Sequence, residues 1–158
     1  AIEGMDLSPG MLDEARRIDP AGSYFEGDVC HIDRPDGHYK LVCTVFTSRN
    51  FPEIEASVAE MMRVVAPGGR LLVLDSFPAR PGSLWGGLQN FWMQRVVPWL
   101  VRPFADPNAY SYLAASIQQH VSAERLAALC REHGATDVTL TPYSFGSATR
   151  VVATKGSA

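Results

Sequence analysis

Hydrophobic positions in the first half of the chain switch between two rhythms. Residues 1–5 read as the end of a strand running straight into Asp6, and residues 23–26 read as a short strand that Gly27-Asp28 ends. Residues 39–46 are a nearly continuous apolar, β-branched run, the pattern of a strand buried on both faces of a parallel sheet. Residues 70–75 (RLLVLD) are another. Between these runs, apolar positions fall at helical spacing: Met11, Leu12, Ala15 and Ile18 in one segment, Val58, Met61, Met62 and Val65 in the other. Ser8 as N-cap and Pro9 at the first helical position start the first helix, which ends before Pro20. Pro67-Gly68-Gly69 stops the second. Strand and helix alternate, which predicts a doubly wound α/β sheet with crossover helices.

The alternation pauses over residues 78–121. This stretch holds all three tryptophans, and Leu84, Leu88, Phe91, Trp92, Val96, Trp99 and Leu100 suit helical packing. It is too apolar to remain a solvated linker, so the spacing predicts a helical insertion within one domain spanning residues 1–158. Ser122 then caps a helix ending at Gly134, and residues 137–140 and 150–154 form two last strands joined by a turn at Gly146.

Composition narrows the class. With 46% hydrophobic and 20% charged residues, the 158-residue chain has the balance of one soluble globular domain. A net charge of −3 argues against a nucleic-acid binder, whose footprint is normally basic. Cys30, Cys43 and Cys130 are far apart and form no C-x-x-C pair, which fits buried thiols in a reducing compartment rather than disulfides or a metal site. The first ten residues carry two acids and no apolar core, unlike a signal peptide, and the longest apolar run, residues 96–101, is too short to cross a bilayer. A cytoplasmic protein is expected.

Two acids carry the chemistry. A carboxylate at the C-terminal end of a strand, followed by a capped helix, can accept hydrogen bonds from both hydroxyls of a ribose at the carboxyl edge of a sheet. Asp6 in Gly4-Met5-Asp6-Leu7-Ser8 has that setting, and a helix-capping acid would sit there equally well. Asp28 follows the next strand, placed to meet an adenine's exocyclic amine, although a plain turn aspartate has the same pattern. The order of elements discriminates more than either acid: strand, acid, helix; strand, Gly-Asp; buried strand; helix; Pro-Gly-Gly; buried strand.

The segments GMDLSPGMLDEARR, GDVCHI, FTSRNFPE, EMMRVVAPGGRLLVLDSFPARP and NAYSYLAASIQQH stand in an order and spacing that resemble the ubiquinone/menaquinone-biosynthesis C-methyltransferases, a family of class I S-adenosylmethionine-dependent enzymes. The block RVVAPGGRLLVLD is shared by many methyltransferases; SRNF and YSYLAASI are narrower. The resemblance implies a Rossmann-like sheet with a C-terminal antiparallel strand pair, S-adenosyl-L-methionine as cofactor and a lipophilic quinol as substrate. It implies that Asp6 and Leu7 hold the ribose side of the cofactor, Asp28 and Val29 the adenine, and Phe46 and Thr47 the methionine part. Arg49 and Asn50 match the family's Arg-Asn pair at the lip of the active site. Tyr110, Tyr112 and Ser116 fall in a segment resembling the substrate-facing lid, though their spacing also suits a packed helix.

Arg49 would stabilise a developing phenolate or pin its own turn; a carboxylate or water could take the proton, and His120, the histidine near the lid, is a further candidate base. His31, His38 and His133 read as surface residues. The tryptophan-bearing insertion would serve as core, line a channel for an isoprenoid tail or rest on a membrane surface, and a homodimer is a further partner expectation.

The chain departs from the family in several places. Ser111 stands between the two tyrosines where arginine is common, a histidine common in the last strand pair is replaced around Thr149 and Arg150, and the loop after Asp28 is short. No G-x-G occurs, and the chain starts at what corresponds to the family's second strand. The first strand and glycine loop are therefore expected to be lacking, leaving a gap of about 10 Å in the sheet or forcing the neighbouring strands to pair directly. Two other readings remain open: a methyltransferase for another small molecule, and an inactive remnant that binds or dimerises.

Overall fold

The computed structural model describes residues 2–78, 117, 120–143 and 147–157. Its elements are β1 (Glu3–Asp6), α1 (Pro9–Ile18), β2 (Ser23–Glu26), β3 (Tyr39–Val45), a 3-10 turn (Ser48–Asn50), α2 (Ile54–Val64), β4 (Val65–Asp75), α3 (Ala123–Glu132), β5 (Ala135–Tyr143) and β6 (Ala148–Lys155). The alternation of strand and helix through residue 75 and the closing helix and strand pair follow the sequence pattern. The predicted helical insertion over residues 78–121 lies almost wholly outside the described residues.

The strands form two sheets. β1 and β2 are a parallel pair with Asp6 opposite Glu26. The other sheet has the order β3-β4-β6-β5, parallel between β3 and β4 and antiparallel for the last two pairings. β1 and β3 do not pair with each other, so of the two arrangements expected of the sheet's centre, direct pairing is not adopted.

One face of the larger sheet carries the core. Alternate positions on β4, Leu71 and Val73, meet Ala153 and Val151 in register on β6, and all four are 1% exposed or less. They join a single apolar cluster with Val58, Met61 and Met62 of α2 and Leu126, Leu129 and Cys130 of α3. Burial pushes the Cys130 thiol up to about 11, so it is a structural thiol, as expected. Cys43, in contrast, is exposed and Cys30 half-buried.

The opposite face is less covered: Leu72, Leu74 and Val152 are half-buried, and the edge strand β3 is open. Leu41 and Val45 on β3 are 55% and 49% exposed, which corrects the expectation that this strand is buried on both sides. The apolar run reports a strand that suits two covered faces. Among the described residues β3 lies at an edge, and the helices that contact the larger sheet, α2 and α3, share one apolar cluster.

Local chemistry sets the element ends. Ser122 Oγ accepts from the backbone N–H of Arg125 at 3.2 Å, capping α3 as its sequence suggests. Ser8 makes no side-chain cap on α1; instead Asp6 Oδ1 accepts from the Ser8 N–H at 2.8 Å. The chain passes from α2 straight into β4 at Val65, before Pro67-Gly68-Gly69 rather than after it. The Lys155 ammonium donates to the carbonyls of Met62, Arg63 and Val65 at 2.7, 3.0 and 2.8 Å, placing a cation on the unpaired C-terminal carbonyls of α2. At Gly69 a Cβ would stand 2.9 Å from the Lys40 carbonyl and 2.8 Å from that of Ala66, so only glycine allows β3 and β4 to approach there.

The small sheet is tied to the rest largely through polar groups. Arg34 bonds Glu3 at 3.1 Å, the Tyr39 hydroxyl donates to the same carboxylate, and the Arg34 guanidinium lies 4.0 Å from the centre of the Phe25 ring. Arg63 on α2 then holds the loop between β2 and β3 through Asp36 and the carbonyls of Ile32 and Arg34. The start of β1 is thereby fixed beside the start of β3.

Candidate active site

Parallel strands direct their C-terminal ends to one edge, and the sequence places acids there. Asp6 is the last residue of β1 and Asp28 follows β2 by two residues, while Gly27 N–H donates to the Asp6 carbonyl at 3.1 Å. The structure thus brings these two predicted residues to the ends of adjacent strands. Each uses one carboxylate oxygen in a local turn: Asp6 Oδ1 on Ser8 N–H, and Asp28 Oδ1 on Cys30 N–H, both at 2.8 Å. Among the described residues the other oxygen of each takes no hydrogen bond. Leu7 is 66% exposed beside Asp6, whereas Val29 packs partly against the core.

At the end of β3 the backbone turns sharply. Phe46 adopts φ of +56°, the left-handed region that bulky side chains rarely occupy, and its N–H donates to the Leu74 carbonyl at 2.8 Å. The turn leaves the Phe46 ring partly exposed, pairs the hydroxyls of Thr44 and Thr47, and leads directly into Ser48-Arg49-Asn50.

A buried carboxylate that the sequence reading passed over organises this turn. Asp75, the last residue of β4, is fully buried. Its Oδ1 accepts from the Arg49 guanidinium and from Ser76 N–H, both at 2.7 Å. Its Oδ2 accepts from Ser48 Oγ at 2.7 Å and from Arg49 N–H at 3.2 Å. Four donors around one carboxylate satisfy the demand that a buried charge be paired. Arg49 therefore does pin its own turn. Its Nε, however, is buried without a partner among the described residues, and the guanidinium lies 6.0 Å from the centre of the Phe46 ring.

His120 joins the same cluster from a segment 72 residues away: its Nε2 is 3.2 Å from Ser48 Oγ, and its ring stacks on Phe77 at 4.9 Å. Burial lowers the pKa of the imidazole, with Arg49 adding to the effect and Asp75 opposing it. His31, His38 and His133 are exposed, as expected of surface residues. Tyr110, Tyr112 and Ser116 lie outside the described residues. The signal that singled out Asp6, an acid ending a strand, was equally present in RLLVLD and would have found Asp75; Ser48 and Phe77 fall in segments that carry the family resemblance, but no local pattern gave either a role.

Parallel strands that end in acids, alternating helices and a closing antiparallel pair are features of the Rossmann-like fold of class I methyltransferases. Solved structures agree on that fold. A putative methyltransferase of Haloferax volcanii, solved with its Trm112 activator, superposes with a TM-score of 0.70 at 14% identity over 99% of this chain and 72% of its own. A SAM-dependent methyltransferase of Thermotoga maritima gives 0.66 at 17% identity over 97% and 72%.

Within that class, the chain belongs to the ubiE/COQ5 methyltransferase family, whose sequence model matches residues 1–155. It is 36% identical over 138 residues to the demethylmenaquinone methyltransferase of Thermus thermophilus, covering 84% of this chain and 62% of that one. It is 32% identical over 163 residues to the ubiquinone/menaquinone biosynthesis C-methyltransferase of Geobacter sulfurreducens, covering 99% and 63%. The chain thus spans about three-fifths of the length of these relatives.

Proposed function

We propose that this chain carries the S-adenosylmethionine-dependent C-methylation of a lipoquinone precursor, a demethylmenaquinol or a ubiquinone precursor. The observation that carries this reading is a set of groups at the carboxyl ends of parallel strands in the two sheets: among the described residues, an uncommitted carboxylate oxygen on each of Asp6 and Asp28, after β1 and β2, and a buried, unpartnered Nε on Arg49, after β3. The names of the relatives support the choice of substrate class.

The residues fit the cofactor. Ribose hydroxyls and an adenine amine are donors, and the free oxygens of Asp6 and Asp28 are acceptors. Leu7 and Phe46, 66% and 43% exposed, offer apolar surface toward the adenosine and methionine parts, with Val29 and Thr47 beside them. Bound S-adenosylmethionine supplies a methyl group activated by its sulfonium, which leaves the protein to position the acceptor, exclude water and manage a proton. Arg49 is held by Asp75 in a fixed orientation, and its idle Nε suits an anion that forms during the reaction, as a phenolate does. A buried donor left unpaired is costly, which is consistent with a partner that arrives with the ligand. His120, joined to Asp75 through Ser48, is the group assigned to take the phenolic proton.

Asn50, Tyr110, Tyr112 and Ser116 are assigned to the quinol, and the insertion over residues 78–121 to its isoprenoid tail, with contact to a membrane surface or a second copy as accompanying features. No helix among the described residues is long and apolar enough to cross a membrane.

Expression in a host lacking its own enzyme tests the substrate class: methylated quinone should return, and accumulation of the unmethylated form would point to another small-molecule acceptor. In the purified protein Asp6→Ala should chiefly raise KM for the cofactor and Arg49→Ala chiefly lower kcat. Equal and small effects would reduce both residues to structural roles.

A further inference from the structure

The hydrogen-bond order in the buried cluster has one consistent solution. An ionised carboxylate paired with Arg49 has no proton to give, so across the 2.7 Å contact Ser48 Oγ must donate to Asp75 Oδ2. A serine hydroxyl has a single hydrogen. Ser48 Oγ is therefore left as acceptor toward His120, and the imidazole must donate across the 3.2 Å contact from Nε2. A neutral imidazole that donates from Nε2 carries its lone pair on Nδ1.

We propose that Asp75, acting through Ser48, fixes the ring proton of His120 on Nε2, making Nδ1 the atom that receives the proton of the acceptor's hydroxyl. The step balances: the phenolic O–H bond breaks, an Nδ1–H bond forms, the electron pair stays on the oxygen, and the imidazole becomes a cation. This inference rests on the C-methylation reading and adds two positioning residues, Ser48 and Asp75, to it.

Three further observations favour a fixed neutral base. His120 is 8% exposed and Ser48 2%, so water does not compete for the bond between them. The ring stacks on Phe77, with the planes inclined by only 20°, which holds it in one orientation. Among the described residues the charged groups bearing on the ring are Asp75, which raises the pKa of the imidazole, and Arg49, which lowers it; burial, the largest effect, leaves it below its ordinary range. One carboxylate thus sets a fixed cation and, through a hydroxyl, a neutral base side by side. Protonation at Nδ1 leaves the Nε2–H bond to Ser48 intact, so the cluster holds its geometry while the ring gains and loses a proton.

Nitrogen-15 NMR of histidine-labelled protein at pH 7.5 reads the tautomer without substrate or turnover. The expected result is a protonated Nε2 and an unprotonated Nδ1 for His120, with a titration midpoint below about 6.5. A Ser48→Ala variant should show a mixture of tautomers. A neutral His120 protonated on Nδ1, or a cationic ring at pH 7.5, would overturn the proposal.

Kinetics supply the second arm. His120→Gln keeps a donor toward Ser48 but removes the base, and kcat should fall by about a hundredfold or more with little change in KM. Ser48→Ala should lower kcat less and change its pH profile. A wild-type protein that methylates the quinol together with a His120→Gln variant of equal kcat would overturn the base role while leaving the C-methylation reading intact. A wild-type protein inactive on every quinol would instead overturn that reading, and the proton acceptor with it.

Discussion

On the face covered by α2 and α3, Leu71, Val73, Val151 and Ala153 are 1% exposed or less, whereas the β1–α1–β2 unit leaves Ile2, Leu7, Met11 and Ile18 at 91, 66, 59 and 70% exposure. The first region is held by apolar burial, and the second contributes one buried side chain, Leu12, with the polar Glu3–Arg34–Tyr39 group as its anchor. The difference separates two tasks. The groups assigned to proton transfer and charge stabilisation sit against a dense core, which suits chemistry that depends on fixed geometry. The acids assigned to the cofactor sit on the loosely anchored pair of strands, where a bound nucleoside adds the most order.

Substitutions on the two sides should differ accordingly. The largest loss is expected from Asp75→Ala, which leaves the Arg49 guanidinium and the Ser48 hydroxyl without their acceptor in a buried site. Removing one partner of such a pair costs about 3–5 kcal/mol, readable by urea unfolding, and a loss below about 1 kcal/mol would mean that the carboxylate does not organise the turn. Leu126→Ala, at a fully buried position, should cost about 2–5 kcal/mol by the same measurement.

Glu3→Gln should act locally instead, speeding amide exchange in β1 and β2 while hardly moving the global transition. The Glu3 carboxyl is held below its usual range, chiefly by the hydrogen bond from Arg34 and then by that from Tyr39. Its contribution is therefore complete above the ordinary carboxylate pKa and is lost as pH falls through the lowered folded value, so acid should loosen β1–β2 before the core. Met11→Ser, on the exposed face of α1, should change stability by no more than about 0.5 kcal/mol. A loss comparable to that of Leu126→Ala would place a covered surface where the structure shows an open one.

The same division decides what could be read from the sequence. The elements followed from local signals: Ser122 before α3, Pro9 opening α1 and the apolar run of β3 all marked real boundaries. Burial did not follow for β3, because an apolar run describes the strand and says nothing of which neighbours cover it. Asp6 and Asp28 were legible as acids ending strands. Asp75 carried the same mark, but its importance comes from contacts with Ser48 and Arg49, 27 and 26 positions earlier, and through Ser48 with His120. Such a cluster exists only once β3 and β4 lie side by side. The tautomer of His120 is a property of three side chains together and has no sequence signature.

Amide hydrogen exchange with and without S-adenosylmethionine tests most directly the claim that cofactor binding belongs to the loosely held strands. Without ligand, amides of β4, β6, α2 and α3 should exchange slowly and those of residues 3–8 and 23–30 quickly. Added cofactor should slow the second set, most of all at Ser8 and Cys30 beside the two acids. Unchanged exchange at those positions under saturating cofactor would contradict the assignment of Asp6 and Asp28.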